Sequence, residues 1–215
     1  MQAVILEIEH YQKIYGLFYK RTIALILEPN TKKLSREILN IERFRVYQAD
    51  ILTYLGRSSQ VELSVLEQNK YLKLITVLHH LESMLDIIQS NIFNVLHQMI
   101  HNDIKPSETM LNLVGKLTSE VGHAIEKALT SVCKSDYEAA MLVIAMNPTI
   151  ELLIQDALSH QFKRFQTTEK RLKVFRYEMQ LVEGFKQMYS LAQRIAYLQE
   201  EPVEKSEVPK SAKID

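Results

Sequence analysis

Three side chains that could bind a metal ion are predicted to share one face of a helix: His79, Glu82 and Asp86. They are separated by three and four residues, and side chains at these spacings are neighbours on an α-helix. Carboxylates and imidazoles are ligands for hard and borderline divalent cations. The row therefore allows two interpretations, a cation site or a solvent-exposed helix flank, and the residue types alone favour the flank.

The helix that must position this row is marked by eight apolar residues spaced alternately by four and three. They are Leu74, Leu78, Leu81, Leu85, Ile88, Ile92, Val95 and Met99. Residues 64–101 contain no Gly and no Pro. The pattern predicts one continuous helix, about 55 Å long at 1.5 Å per residue, and therefore an elongated bundle. Glu82 and Asp86 each follow a leucine of this seam, which places them at the edge of the buried stripe.

Five further helices are predicted from apolar periodicity and from the Pro and Gly residues between the periodic stretches. The six predicted ranges are 3–27, 31–57, 64–103, 107–133, 136–166 and 168–199. Pro148 lies inside the fifth range and predicts a kink there. We therefore expect an all-α, elongated six-helix bundle made of two antiparallel three-helix units, residues 1–103 and 104–200. Residues 201–215 are polar and predict a disordered tail.

Composition excludes several classes of function. The chain of 215 residues has 26 basic and 26 acidic residues, and this neutral charge argues against a nucleic-acid partner, which needs a clustered positive field. The single cysteine, Cys133, excludes an internal disulfide and fits a reducing compartment. No run of about 18 apolar residues is present, so we expect no membrane-spanning helix and a cytoplasmic location.

Catalytic motifs are absent from the sequence, which has no Gly-rich phosphate loop and no Gly-x-Ser-x-Gly turn. We therefore predict that the protein is not an enzyme. One enzymatic alternative stays open, a ferritin-like di-metal site. It rests on two Glu-x-x-His spacings, Glu7 with His10 and Glu120 with His123, which would have to converge inside the bundle.

Three stretches, residues 46–57, 78–92 and 157–165, resemble the PhoU-like family. The chain is most similar to the soluble C-terminal domain of bacterial sodium/phosphate cotransporters, over roughly residues 1–200. The resemblance implies a non-enzymatic regulatory role in phosphate uptake. It also implies a membrane phosphate transporter as partner, on the same chain or a separate one, so that the module would be membrane-associated through that transporter.

The resemblance also implies metal ligands, because family members bind metal clusters through a Glu/Asp-x-x-x-Asp motif on the third helix of each half. Glu82 and Asp86 match that motif in the first half. In the second half Glu183 is followed by Gln187, whose neutral amide is a weaker ligand, and Glu178 lies one turn earlier as a substitute. The expected cofactor is a divalent ion or one of the iron or zinc type.

A second alternative requires no metal. The heptad seam and the neutral charge would also suit a helical interaction or oligomerisation protein, including a homo-oligomer. The sequence leaves open whether the chain is free-standing or part of a longer transporter, and the reading frame upstream of Met1 would decide that question.

Overall fold

The computed structural model describes residues 2–58, 64–164 and 168–199, and all regular secondary structure within them is helical. The helices are α1 Gln2–Leu27, α2 Thr31–Ser58, α3 Val65–Ile87, α4 Asn94–His101, α5 Glu108–Lys134, α6 Tyr137–Ala145, α7 Asn147–Lys163 and α8 Glu169–Tyr197. The prediction of an all-α fold is confirmed. The predicted tail, residues 201–215, lies outside the described residues.

These eight helices form six rods, as predicted. A π-helical segment, Ile88–Phe93, connects α3 to α4 without a break, so the long helix runs from Val65 to His101. Helices α6 and α7 meet at Met146, and Pro148 lies in the first turn of α7, where its missing amide costs no hydrogen bond. The predicted kink at Pro148 is confirmed.

Polar side chains at the starts of α3, α5 and α6 explain why these helices begin where they do. Ser64 and Glu67 form a capping box, in which each side chain accepts a hydrogen bond from the backbone amide of the other. At the starts of α5 and α6 the bond runs in one direction only. The side chains of Ser107 and Asp136 each accept a hydrogen bond from the backbone amide three residues later in the chain. These oxygens satisfy amides that the first turn of a helix leaves without partners.

The seam of the long helix faces the core along its whole length. All eight predicted positions are buried, and the most accessible of them, Leu74, is 5% exposed. The long helix packs mainly against α8, while α8 makes its most extensive contact with α5. Since α5 also lies along α1, the contacts α1–α5 and α3–α8 join the two predicted three-helix units. The boundary predicted at residues 103 and 104 falls in the connection between α4 and α5.

The π-helical segment was not predicted. Its wider turn holds one residue more than an α-helical turn. Phe93 and Leu96 are buried there beside the seam residues Ile92 and Val95. The apolar pattern is nearly the same with or without the wide turn, so periodicity could not reveal it.

The contact between α1 and α5 is unusually close at one point. Tyr19 is buried and its hydroxyl donates to the backbone carbonyl of Thr118 at 2.9 Å. A Cβ atom on Gly122 would lie 2.8 Å from the Tyr19 ring. Nearby, the amide of Gln12 donates to the hydroxyl of Thr130 at 3.0 Å. Glycine at position 122 thus allows the tyrosine to lie flat against α5.

One helical stretch among the described residues, Tyr137–Lys163, is apolar and long enough to cross a membrane by composition alone. Its most apolar window is 28% buried inside the protein. The stretch is the kinked rod α6–α7, and its buried side chains, including Val143, Ile150 and Ile154, contribute to the core that α5 and α8 complete. It is therefore built as an outer helix of the bundle.

We predict that Gly122→Ala lowers the free energy of unfolding by about 1–2 kcal/mol, because the new methyl group would push the buried Tyr19 ring off its site. Chemical denaturation followed by circular dichroism measures this change. Gly115→Ala is the matched control, since Gly115 lies in the same helix with no atom in the way. It should raise stability by about 0.5–1 kcal/mol through helix propensity. Equal effects of the two substitutions would contradict the packing argument.

Candidate functional site

The predicted row on the long helix lies on the protein surface. Glu82 and Asp86 are both exposed on α3. Asp86 accepts a hydrogen bond from the guanidinium of Arg45 on α2, at 2.6 Å, and the same guanidinium nitrogen donates to the side-chain oxygen of Gln89 at 2.9 Å. The bond to Asp86 raises the pKa of Arg45. One of the two predicted ligands is therefore already paired with a permanent cation.

The described side chains in this row do not fit a metal ion as they are arranged. No three His, Cys, Asp or Glu residues within the described ranges lie close enough together to share an ion. His79 is exposed, and its ring lies 6.0 Å from that of His80. A cation at Asp86 would also have to displace Arg45. Metal binding by Glu82 and Asp86 stays a prediction.

The two candidates in the second half occupy different environments. Glu183 is exposed on α8 and accepts a hydrogen bond from the amide of Gln187 at 3.1 Å. Glu178, in contrast, is 2% exposed and faces the interior. Glu183 lies at the surface and Glu178 is buried, so the two carboxylates do not share a face of α8 in this structure. Their assignment to one metal site also stays a prediction.

Glu178 lies in a cleft of about 520 Å³ where the start of α5, the end of α7 and the first turns of α8 meet. One carboxyl oxygen, Oε2, accepts a hydrogen bond from the side-chain amide of Gln161. The other, Oε1, is buried and has no hydrogen-bond partner among the described residues. Burial raises the pKa of Glu178 to about 7, and the nearby amide of Ser107 and two arginines only partly offset this shift.

The rim of the cleft is positively charged. Lys105, Arg164 and Arg171 line it, and among the described lining residues Asp103 is the one carboxylate besides Glu178. His160 lies beside the cleft, with Nε2 at 3.1 Å from the Ser107 hydroxyl and 3.4 Å from Arg164 Nη1. Desolvation, together with the charges of Arg164 and Lys163, lowers the pKa of His160. The cleft thus combines basic side chains at the rim with a buried carboxyl group at its floor.

Sequence reasoning missed the arginines and the lysine that define both sites. Arg45 lies within the predicted second helix and Arg164 within the stretch 157–165, and no motif marks either residue. Lys105 and Arg171 carried no signal, because 66 residues separate them in the sequence. The one available hint was the number of basic residues at the end of α7, where cations also stabilise the helix dipole.

The ferritin-like alternative is wrong for this structure. Glu7 and His10 are exposed on α1, and the carboxylate of Glu7 accepts a hydrogen bond from the Tyr47 hydroxyl. On α5, His123 is exposed and Glu120 is half-buried. The apolar faces of both helices point to the core, which leaves these four polar side chains near the surface instead of around a dry di-metal centre.

Comparison with known proteins supports the fold and goes no further. No family model matches the chain, and no curated protein matches it. Among solved structures, the crystal structure of PhoU from Pseudomonas aeruginosa superposes with a TM-score of 0.81. The superposition covers 92% of this chain and 93% of that one, at 12% sequence identity. The chain therefore has a PhoU-like fold, and at this identity the likeness concerns the fold alone.

We predict that Glu178 makes stability fall as pH rises. Because its pKa is raised by burial, the folded state holds the proton more tightly than the unfolded chain, whose Glu pKa is about 4.3. The favourable contribution is complete below that value and is lost as pH rises through about 7. Glu178→Gln should remove this dependence, which amounts to about 2–3 kcal/mol between pH 4.5 and 8.

The measurement is urea denaturation across that pH range, with Glu183→Gln on the exposed face of the same helix as control. The control should follow the wild-type profile. Parallel profiles for wild type and Glu178→Gln would contradict the assignment of a raised pKa to this buried group.

A second prediction concerns metal. If the acidic row binds a cation, untagged protein should retain metal that the double variant Glu82→Ala/Asp86→Ala loses, as measured by elemental analysis. Glu151→Ala/Asp156→Ala, two exposed carboxylates on α7, is the matched control and should keep the wild-type content. Equally negligible metal in all three proteins would remove the cation hypothesis.

Proposed function

We propose that the protein is a non-enzymatic regulatory module of phosphate transport that acts through contacts between its helices and a partner. The observation that supports this function most is the superposition on PhoU over nearly the whole of both chains. The stretches that resemble the PhoU-like family in sequence begin on α2, on the long helix and on α7, and thus on both halves of the fold. The proposed location is the cytoplasmic side of the membrane.

The proposed partner is a membrane phosphate transporter, on the same chain or a separate one, and the sodium-coupled type is the one the sequence resembles. The kinked rod α6–α7 offers a surface for this contact. Its large exposed apolar side chains are Tyr137, Met141, Leu142, Leu152, Leu158 and Phe162. This rod carries more of them than any other described rod. Exposed apolar patches are a common property of surfaces that another protein covers.

The proposed mechanism is docking of a rigid bundle. The long helix and α8 are buried along their inner faces, so the outer rods keep a fixed spacing and present their exposed side chains as a unit. A signal that changes the affinity of the docked state would then change transport. By linkage, such a signal can shift docking only by the difference in its affinity for the free and docked forms.

We predict that Leu142→Glu/Leu152→Glu abolishes regulation while leaving the fold intact, because both side chains are more than half exposed. The measurement is uptake of radiolabelled phosphate by cells in which the endogenous gene is deleted and then restored with each variant. Wild type should reduce uptake in phosphate-rich medium, and the double variant should behave like the deletion.

The matched control is Leu39→Glu/Leu72→Glu, two leucines of similar exposure on α2 and α3. It should restore regulation as wild type does, and circular dichroism should show all variants folded. Unchanged phosphate uptake after deletion would contradict the proposed function. Loss of regulation by the control alone would place the docking surface on α2 and α3 instead.

The alternative of a plain oligomerisation protein remains distinct from this proposal, and the exposed leucines on α2 and α3 favour it. Sedimentation velocity separates the two. A stable oligomer that Leu39→Glu/Leu72→Glu dissociates, together with unaffected phosphate uptake, would support the oligomerisation alternative.

A further inference from the structure

We propose that the cleft around Glu178 is a binding site for a phosphate group that still carries a proton, either inorganic phosphate or a phosphomonoester. This inference deepens the proposed function and rests on it for its biological meaning, since it would give the module a way to sense phosphate. The binding itself is argued from the residues of the cleft.

The charges of the cleft favour an anion. Lys105, Arg164 and Arg171 outnumber the one acidic side chain on the rim, Asp103. The starts of α5 and α8 also border the cleft, through Ser107 and Thr168. Helix starts carry a positive partial charge, and at α8 the side chain of the N-cap residue Thr168 does not cap the first amides. This surrounding field repels a cation.

The buried carboxyl group selects among anions. Within the part of the chain that the structure describes, Oε1 of Glu178 has no hydrogen-bond partner, although the side chain is 2% exposed. When Glu178 is ionised, a fully ionised oxyanion would meet this carboxylate with repulsion and could not satisfy Oε1. A phosphate that keeps one O–H group can donate that hydrogen to Oε1 while its other oxygens accept from the basic rim.

The protonation chemistry agrees with this geometry. The pKa of Glu178 is raised to about 7, mainly by burial, so one proton can be held near neutral pH either by the carboxyl group or by a phosphate. Phosphomonoesters have a second pKa of about 6 and keep one proton mainly below that pH, whereas inorganic phosphate keeps at least one throughout this range. Sulfate is fully ionised at neutral pH and has no proton to offer. Above the pKa of Glu178, where its carboxyl group has no proton to donate and inorganic phosphate still keeps one, the site should therefore distinguish phosphate from sulfate.

The size of the cleft does not restrict the ligand to the free ion. A volume of about 520 Å³ falls in the range of small-molecule sites. Both inorganic phosphate and a compact phosphomonoester such as glycerol 3-phosphate fit, and they share the same recognition chemistry. The two sources are told apart by measuring both.

The test is isothermal titration calorimetry on the whole chain at about pH 8.5, above the pKa of Glu178, with inorganic phosphate, glycerol 3-phosphate and sulfate as separate titrants. At least one phosphate ligand should bind at least tenfold more tightly than sulfate, and the tighter of the two identifies the source. Arg164→Gln/Arg171→Gln should weaken phosphate binding at least tenfold. Arg36→Gln/Arg43→Gln, two exposed arginines on α2, is the matched control and should bind as wild type does.

Glu178→Gln tests the selective step. Its neutral amide no longer repels a fully ionised anion, so the preference for phosphate over sulfate should fall towards one. Absence of phosphate binding at millimolar concentration, equal binding of phosphate and sulfate by wild type, or wild-type affinity in the double arginine variant would each overturn the proposal. If Glu178→Gln does not fold, the sulfate comparison and the arginine variant still decide.

These binding measurements use the isolated protein and contain no transporter. Phosphate binding with no effect of the deletion on uptake would leave the site standing and remove the transport function. Regulated uptake with no phosphate binding would support the transport function and overturn the binding site.

Discussion

The packing of α5 against α8 is the interaction on which the rest of the structure depends. The two helices bury their apolar faces against each other, and side chains such as Val121, Ala124 and Phe185 are completely enclosed. A fully buried side chain of Phe or Val size contributes about 1.5–3 kcal/mol. In addition, α5 contacts α1 and α8 contacts α3, and both partners belong to the first half. The pair of helices that builds the second half therefore also joins the two halves.

That packing also creates the cleft. The end of α7 and the start of α5 are held against α8, which encloses Glu178 and leaves Arg164 and Arg171 at the rim. A buried carboxyl group with an unsatisfied oxygen destabilises the fold, and the apolar contacts of α5 and α8 must offset that cost. Costly polar groups of this kind are common where proteins bind ligands, because binding supplies the missing partner.

The acidic row on the long helix is governed by a weaker interaction. The ion pair between Arg45 and Asp86 is partly exposed, and exposed ion pairs contribute about 0–1 kcal/mol. The pair therefore adds little to stability, but it changes the chemistry of the row by placing a cation where a metal ion was expected. The α1–α5 contact at Tyr19 and Gly122 has the opposite character, since close steric fit there matters more than charge.

The sequence alone determined the helical class, the six rods, the buried seam and the kink at Pro148, because heptad spacing, capping residues and proline act locally. The identity of Glu178 as a buried group and the partners Arg45, Arg164 and Arg171 were decided by tertiary structure. The paired residues are far apart in the chain, as Arg45 and Asp86 are, and no local pattern encodes such distances. The π-helical segment likewise carries no local signal in the sequence; it lies against α8, where a Cβ atom on Gly184 would lie 3.5 Å from Asn91 and 3.6 Å from Ile92. Helix periodicity thus predicts which face is buried, while tertiary contacts decide which charges meet there.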